Sequence, residues 1–92
     1  VHVYKQVFIP NAFTPNGDNI NDTWYIPALN AFREFDLYVY NRFGEVVYHL
    51  KNENKRWDGK FKGKDLPVGA YTYAIYTKRY YKPFNGTVLI IR

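Results

Sequence analysis

One stretch of the sequence, residues 36–50, limits the fold more than any other. Two strand-like runs flank a compact turn at residues 41–44, where Gly44 supplies the positive φ that a short hairpin loop usually needs. The first run alternates with a period of two, with Leu37 and Val39 on one face and Tyr38 and Tyr40 on the other. The alternation resumes after the turn at Val46, Tyr48 and Leu50. The stretch therefore predicts a β-hairpin to which further strands are added.

The rest of the sequence predicts short strands separated by turns. Strand-like runs occupy residues 1–9, 23–26, 70–78 and 86–91, whereas residues 28–33 form a connection with one helical turn. No stretch has the sustained i, i+3, i+4, i+7 spacing of an amphipathic helix. Short strands with regular turn signals are typical of a sandwich or a small barrel. We predict an all-β fold, an Ig-like antiparallel β-sandwich of about six or seven strands, with a five-stranded oligonucleotide-binding barrel as the alternative.

Length and composition restrict the classes of function. The 92 residues predict a single domain over residues 1–92, and because the chain begins with Val1 we expect a fragment of a longer chain. Cys and Ser are both absent, so the commonest nucleophiles are missing and no catalytic set can be recognised. No apolar run approaches the roughly 20 residues of a membrane span. The sequence predicts neither an enzyme nor a membrane-spanning helix.

The net charge of +5 makes nucleic acid an obvious partner to consider. The basic residues of segment 51–64 are, however, interspersed with Glu53 and Asp58. A solvated, loop-rich face therefore explains the cluster without a nucleic-acid ligand. An acidic protein or a membrane surface is also compatible with this charge.

The loop at residues 11–22 contains the densest group of oxygen ligands in the chain. Asp18 and Asp22 are carboxylates and Asn16 and Asn21 offer carbonyl oxygens, the hard donors that Ca²⁺ prefers. The spacing is not that of an EF-hand. The alternative is that these side chains accept hydrogen bonds from their own backbone in Asx turns and hold the loop rigid. A structural calcium ion is thus one of two hypotheses for this loop.

Two shorter features also have alternative interpretations. An aromatic face beside a carboxylate can hold a glycan, which makes Trp57 and Asp58 candidates for sugar binding. Trp57 is otherwise a core aromatic, and Asp58 and Gly59 make the turn that follows it. At the central hairpin, Asn41 and Arg42 form either a salt-bridging corner or a recognition contact, since Arg is favoured at protein interfaces.

Several blocks of the sequence are together similar to one known family. In chain order they are FIPNAFTPNGDNINDTW at residues 8–24, VYNRFGEVVY at 39–48, WDGK at 57–60, KGK at 62–64, LPVGAYTY at 66–73 and NGTVLIIR at 85–92. On these blocks the chain resembles the gliding-motility-associated C-terminal domain, the type B sorting domain of the type IX secretion system of Bacteroidota. Its structural positions here are Trp57, Asp58, Gly59, Pro67, Gly69, Tyr71 and Gly86. One departure is Asn19, where the family usually has Gly.

The resemblance implies a sorting signal that targets its parent protein for export across the outer membrane by the type IX secretion system. It implies recognition of the folded domain by the translocon or by a PorP/SprF-like outer-membrane protein. The protein would be in the periplasm in transit and then at the cell surface or outside the cell. We expect a monomer with no cofactor other than the calcium ion considered above. The alternatives are a carbohydrate- or surface-binding Ig-like adhesin module and an OB-like nucleic-acid-binding domain.

Most of the backbone of a folded sandwich is buried, so a receptor must bind the loops at one end or an exposed edge strand. Three surfaces are candidates: the loop at residues 11–22, the turn at residues 41–44 and the final strand. The residues predicted to take part in recognition are Asn16, Gly17, Asp18, Asn21, Asp22, Asn41, Arg42, Gly44 and Arg92.

Overall fold

The computed structural model describes residues 9–17, 22–78 and 82–92. The strands are β1 (Ala12–Phe13), β2 (Phe35–Tyr40), β3 (Val46–Lys51), β4 (Lys60–Phe61), β5 (Lys64–Asp65), β6 (Gly69–Thr77) and β7 (Phe84–Ile90). They form a five-stranded sheet in the order β1-β7-β6-β2-β3 and a separate hairpin of β4 and β5. The predicted all-β sandwich is confirmed, and in the described residues it contains seven strands. The strand predicted over residues 1–9 lies outside the described residues, apart from Ile9.

The central hairpin forms as predicted, but its second strand contains a β-bulge. Val39 pairs with Tyr48 whereas Tyr40 pairs with Val46, so Val47 is an extra residue on β3. A bulge reverses the side-chain alternation beyond it. Val47 is consequently buried, with 4% of its surface exposed, and Val46 is 42% exposed on the outer face. The prediction that Val46 continues the inward-facing pattern is wrong for this reason.

Strands β6 and β7 are the longest pair of the sheet and confirm the strands predicted near residues 70–78 and 86–91. They are antiparallel, and Tyr73 lies opposite Gly86 in their register. The phenol of Tyr73 covers Gly86 so closely that any Cβ there would overlap it. A side chain at position 86 would therefore force the Tyr73 ring to move.

The segment before the 3₁₀ helix differs most from the sequence-based prediction. Residues 11–22 were expected to be a loop, yet β1 lies within them and pairs with β7 in parallel, with Phe13 opposite Ile90. The fold is thus not entirely antiparallel. The strand predicted over residues 23–26 is only a single bridge between Trp24 and Trp57. The predicted helical turn is a 3₁₀ helix at Pro27–Ala31. Within the described residues, no helix is long and apolar enough to span a membrane.

The core lies between the inner face of the five-stranded sheet and a layer that contains both tryptophans and the 3₁₀ helix. Trp57 is central to it, with its ring stacked on Tyr48 at 5.0 Å and tilted against Phe13 at 5.5 Å. The indole N–H of Trp57 donates to the Lys60 carbonyl at 3.1 Å, and that of Trp24 donates to the Pro10 carbonyl. Both large rings are therefore buried with their polar atoms satisfied.

Candidate recognition surface

The sheet topology brings the three predicted recognition surfaces to one end of the molecule. Strand β2 ends here and β3 begins here, β6 begins here, and β7 and β1 both end here. The connecting segments at this end are residues 41–45, residues 66–68, residues 14–17 and the terminal Arg92. We call this group of segments the turn end. Segments that are far apart in the sequence meet at the turn end, because antiparallel strands bring the chain back to the same end of the sheet.

The side chain of Asn41 organises the turn at residues 41–45. Its carbonyl oxygen accepts hydrogen bonds from the backbone N–H groups of Phe43 and Glu45, at 2.9 and 3.0 Å. Its amide donates to the Glu45 carboxylate at 3.0 Å. Gly44 adopts a φ of 82°, which a residue with a side chain rarely tolerates. Asn41 is thus a structural centre of the turn, and its polar atoms are engaged within the chain.

Arg42 and Phe43 project from this turn into solvent. The guanidinium carbon of Arg42 lies 4.8 Å from the centroid of the Phe43 ring, a cation–π contact. Phe43 is 73% exposed, and no carboxylate among the described residues lies within ion-pair distance of Arg42. An exposed aromatic ring beside an unneutralised cation is a feature of interfaces rather than of an inert surface.

The second segment of the turn end, residues 66–68, is held in place by Tyr71, a residue of the core. The Tyr71 hydroxyl donates to the Pro67 carbonyl at 2.8 Å, an arrangement that resembles the tyrosine corner of Ig-like sandwiches. Burial raises the pKa of Tyr71, and the nearby guanidinium groups of Arg92 and Arg42 partly oppose that rise. Two cations from separate segments therefore act on this part of the surface.

Arg92 follows β7 and binds two neighbouring segments of the chain. Its guanidinium donates to the carbonyl of Leu66 at 2.9 Å and to that of Pro15 at 3.2 Å, and it lies 3.7 Å from the Asp65 carboxylate. These contacts join the loop around Pro15 to the segment that begins at Leu66. The structure thus places Arg92 at the predicted surface but gives it a positioning role within the domain.

The Asp22 carboxylate connects the end of the loop at residues 11–22 to the backbone of residues 16 and 17. One of its oxygens accepts hydrogen bonds from the backbone N–H groups of Asn16 and Gly17, at 3.3 and 3.1 Å. These bonds join a side chain to the backbone of its own loop, as the rigid-loop interpretation predicts, but they span six and five residues and are not Asx turns. Asp18 and Asn21 lie outside the described residues. Among the described residues, no group of three or more His, Asp or Glu side chains is arranged to hold a metal ion.

The segment at residues 57–59 cannot serve as a glycan platform in this fold. Trp57 is only 2% exposed, so neither face of its ring is available for stacking on a sugar. The Asp58 carboxylate accepts a hydrogen bond from the Lys60 N–H at 3.1 Å, and Gly59 has a φ of 77°. A Cβ on Gly59 would lie 3.3 Å from the Phe13 ring. The three residues form a core anchor and its turn, and the sugar-binding interpretation of Trp57 is wrong.

A groove at the turn end has a volume of about 470 Å³ and lies between the turn at Asn41–Phe43 and the segment at residues 66–71. Arg42 was predicted from the sequence as a recognition residue. Two exposed hydrophobic residues of the lining, Phe43 and Val68, were not, and Val68 is 59% exposed. The available signal was a large apolar residue directly beside a turn glycine, as Phe43 is beside Gly44 and Val68 beside Gly69.

Comparisons with known proteins place this fold in a functional context. The family model described as the CHU_C type IX secretion signal domain matches residues 7–90. No curated protein matches the chain. The structure is similar to part of PorZ, an essential bacterial surface component of the type-IX secretion system of Porphyromonas gingivalis, with a TM-score of 0.68 and 20% sequence identity. That match covers 90% of this chain and 11% of PorZ, and it shows a shared fold.

Proposed function

Because this chain belongs to the family of CHU_C type IX secretion signal domains, we propose that it is recognised as a folded domain through its turn end. Its role is that of a sorting signal that directs an attached protein to the cell surface or the extracellular space. The family is one of secretion signals rather than of enzymes, and we propose no catalytic activity for this chain.

The predicted recognition surfaces lie together at the turn end, and this observation supports recognition of the folded domain through that end. A receptor that contacts the turn end meets the turn at residues 41–45, the loop at residues 14–17 and the end of β7 together. Each segment is held by hydrogen bonds within the domain, so little conformational entropy is lost when a partner binds. An unfolded chain would present none of these segments in the same relative positions.

The partner that we propose is the type IX translocon or a PorP/SprF-like outer-membrane protein. The domain would meet this partner from the periplasmic side, after its own folding and before passage of the cargo. The net charge of +5 favours an acidic docking surface. No observation favours nucleic acid or a glycan as the ligand.

A reporter fusion with matched variants tests this proposal. The domain is fused to an exported reporter in a host with a type IX system, and the secreted and periplasmic fractions are measured. Asn41→Ala disrupts the turn end, and Asn52→Ala is its matched control at the opposite end. The Asn52 side-chain oxygen likewise accepts a backbone hydrogen bond, from the Phe35 N–H at 2.9 Å, so each change removes an asparagine side chain that holds the backbone at one end of the β2–β3 pair.

We expect secretion of the unmodified fusion and of Asn52→Ala, and retention of Asn41→Ala in the periplasm. Thermal melting of the purified domains checks that both variants remain folded. Equal secretion of the two folded variants would contradict recognition through the turn end. Retention of the unmodified fusion would contradict the signal function itself.

A further inference from the structure

The two most exposed large hydrophobic side chains among the described residues lie on opposite sides of one groove. Phe43 and Val68, 73% and 59% exposed, both line the space between the turn at Asn41–Phe43 and the segment at residues 66–71. Isolated exposed apolar residues are ordinary, but two that face one cleft form a continuous apolar site.

The walls of this groove are rigid. Phe43 is held by its backbone hydrogen bond to the Asn41 side chain, and the segment that carries Val68 is fixed by the Tyr71 hydroxyl and the Arg92 guanidinium. An exposed hydrophobic side chain on a well-ordered turn loses little entropy on binding, which is typical of an interface hot spot. The groove is therefore preformed rather than created by a partner.

The charges around the groove favour an anionic group in the ligand. None of the described residues that line the groove is acidic. The acidic residues next to its two segments in sequence are engaged, since the Glu45 carboxylate accepts from the Asn41 amide and the Asp65 carboxylate lies 3.7 Å from Arg92. Arg42, in contrast, has no carboxylate partner among the described residues and rests on the Phe43 ring. A guanidinium already placed at the rim of an apolar site is suited to a bidentate contact with a carboxylate.

We infer that the groove binds a segment of a partner protein in which an aromatic or aliphatic side chain is adjacent to a carboxylate. The apolar side chain fills the space between Phe43 and Val68, and the carboxylate pairs with Arg42. This inference rests on the proposed function, because it names the chemistry by which the turn end is recognised.

Peptide binding tests the groove without the secretion machinery. The isotope-labelled domain is titrated with the blocked peptide Gly-Asp-Trp-Asp-Gly and, as the charge control, with Gly-Lys-Trp-Lys-Gly, and backbone NMR shifts are followed. We expect shifts confined to the groove for the acidic peptide and binding that is about tenfold weaker for the lysine peptide. Equal binding of the two peptides, or shifts centred elsewhere, would overturn the inference.

Substitutions separate the apolar contribution from the charged one. Phe43→Ala should weaken binding of the acidic peptide about tenfold or more. Arg42→Gln should weaken it about fivefold and remove most of its dependence on salt. The matched control is Tyr76→Ala, which removes an exposed aromatic ring at the opposite end of β6 and should leave binding unchanged. An affinity unaffected by Phe43→Ala and Arg42→Gln would exclude the groove.

The same variants in the reporter fusion distinguish this inference from the proposed function. If the unmodified fusion is secreted and the folded Arg42→Gln, Phe43→Ala double variant is secreted equally well, the groove inference fails while the signal function stands. If the unmodified fusion is retained, the signal function fails, and the peptide titration still decides whether the groove binds. Loss of secretion in the double variant alone, with Tyr76→Ala secreted normally, supports both.

Discussion

Replacing Trp57 by Ala should come close to unfolding the domain, because this side chain is the centre of the aromatic core. Its ring contacts Tyr48, Phe13, Trp24 and Tyr71, and 2% of its surface is exposed. Large-to-small changes of buried aromatic residues cost about 3–5 kcal/mol, since the transfer free energy is lost and a cavity remains. A domain of 92 residues has a total stability of about 5–14 kcal/mol. The change therefore removes a large fraction of the stability.

Urea unfolding followed by circular dichroism measures this loss directly, and thermal melting gives a second measure. In a domain of this size each kcal/mol shifts Tm by about 4–8 °C, so we expect a decrease of at least about 12 °C. Phe43→Ala is the control, because it removes an exposed aromatic ring and should change the stability by less than about 0.5 kcal/mol. A Trp57→Ala variant that melts within about 5 °C of the parent would refute the packing argument.

Four further predictions test other parts of the structure. Val47→Ala should cost about 2 kcal/mol and Val46→Ala less than about 0.5 kcal/mol in urea unfolding, and equal costs would contradict the bulge. Gly86→Ala should destabilise the domain by about 1–3 kcal/mol, because the new methyl group overlaps the facing phenol; an unchanged Tm would refute this. Burial and the neighbouring Asp58 carboxylate raise the pKa of Tyr48 from 10.0 to about 12. The unfolded chain then releases the phenolic proton first, so stability should fall between pH 10 and 12, and Tyr48→Phe should reduce that fall. The calcium hypothesis predicts a higher Tm with Ca²⁺ than with chelator, and identical melting curves would exclude it.

The hairpin was predictable from the sequence because its signals are local. Period-two alternation and a turn glycine both act within residues 36–50, and the structure has β2 and β3 there. The bulge was not predictable, since Val46 and Val47 are chemically identical. Which of the two valines faces inward is decided by packing against the core.

The resemblance to a secretion signal family is confirmed by the family match over residues 7–90.

Features that depend on contacts between distant residues were missed or left open. Strand β1 has two residues, and its partner β7 lies more than 70 positions away in the chain, so no local pattern could reveal their parallel pairing. The sequence likewise left Trp57 as either a sugar platform or a core residue, because burial is a property of the whole fold. The groove was missed since Phe43 and Val68 look like ordinary turn residues until the sheet brings them together.

The hydrogen bonds at the turn end distinguish two kinds of residue. Shaping residues maintain the geometry of the surface, and contacting residues have side chains that can bind a partner. Asn41, Tyr71 and Arg92 direct their polar side-chain atoms into the domain, whereas the side chains of Phe43 and Arg42 are exposed. Substituting a shaping residue should lower both stability and recognition, since the surface loses its geometry. Substituting a contacting residue should lower recognition alone. A screen for secretion defects therefore needs a stability measurement on every variant, because retention without a change in Tm is what identifies a residue that a receptor contacts.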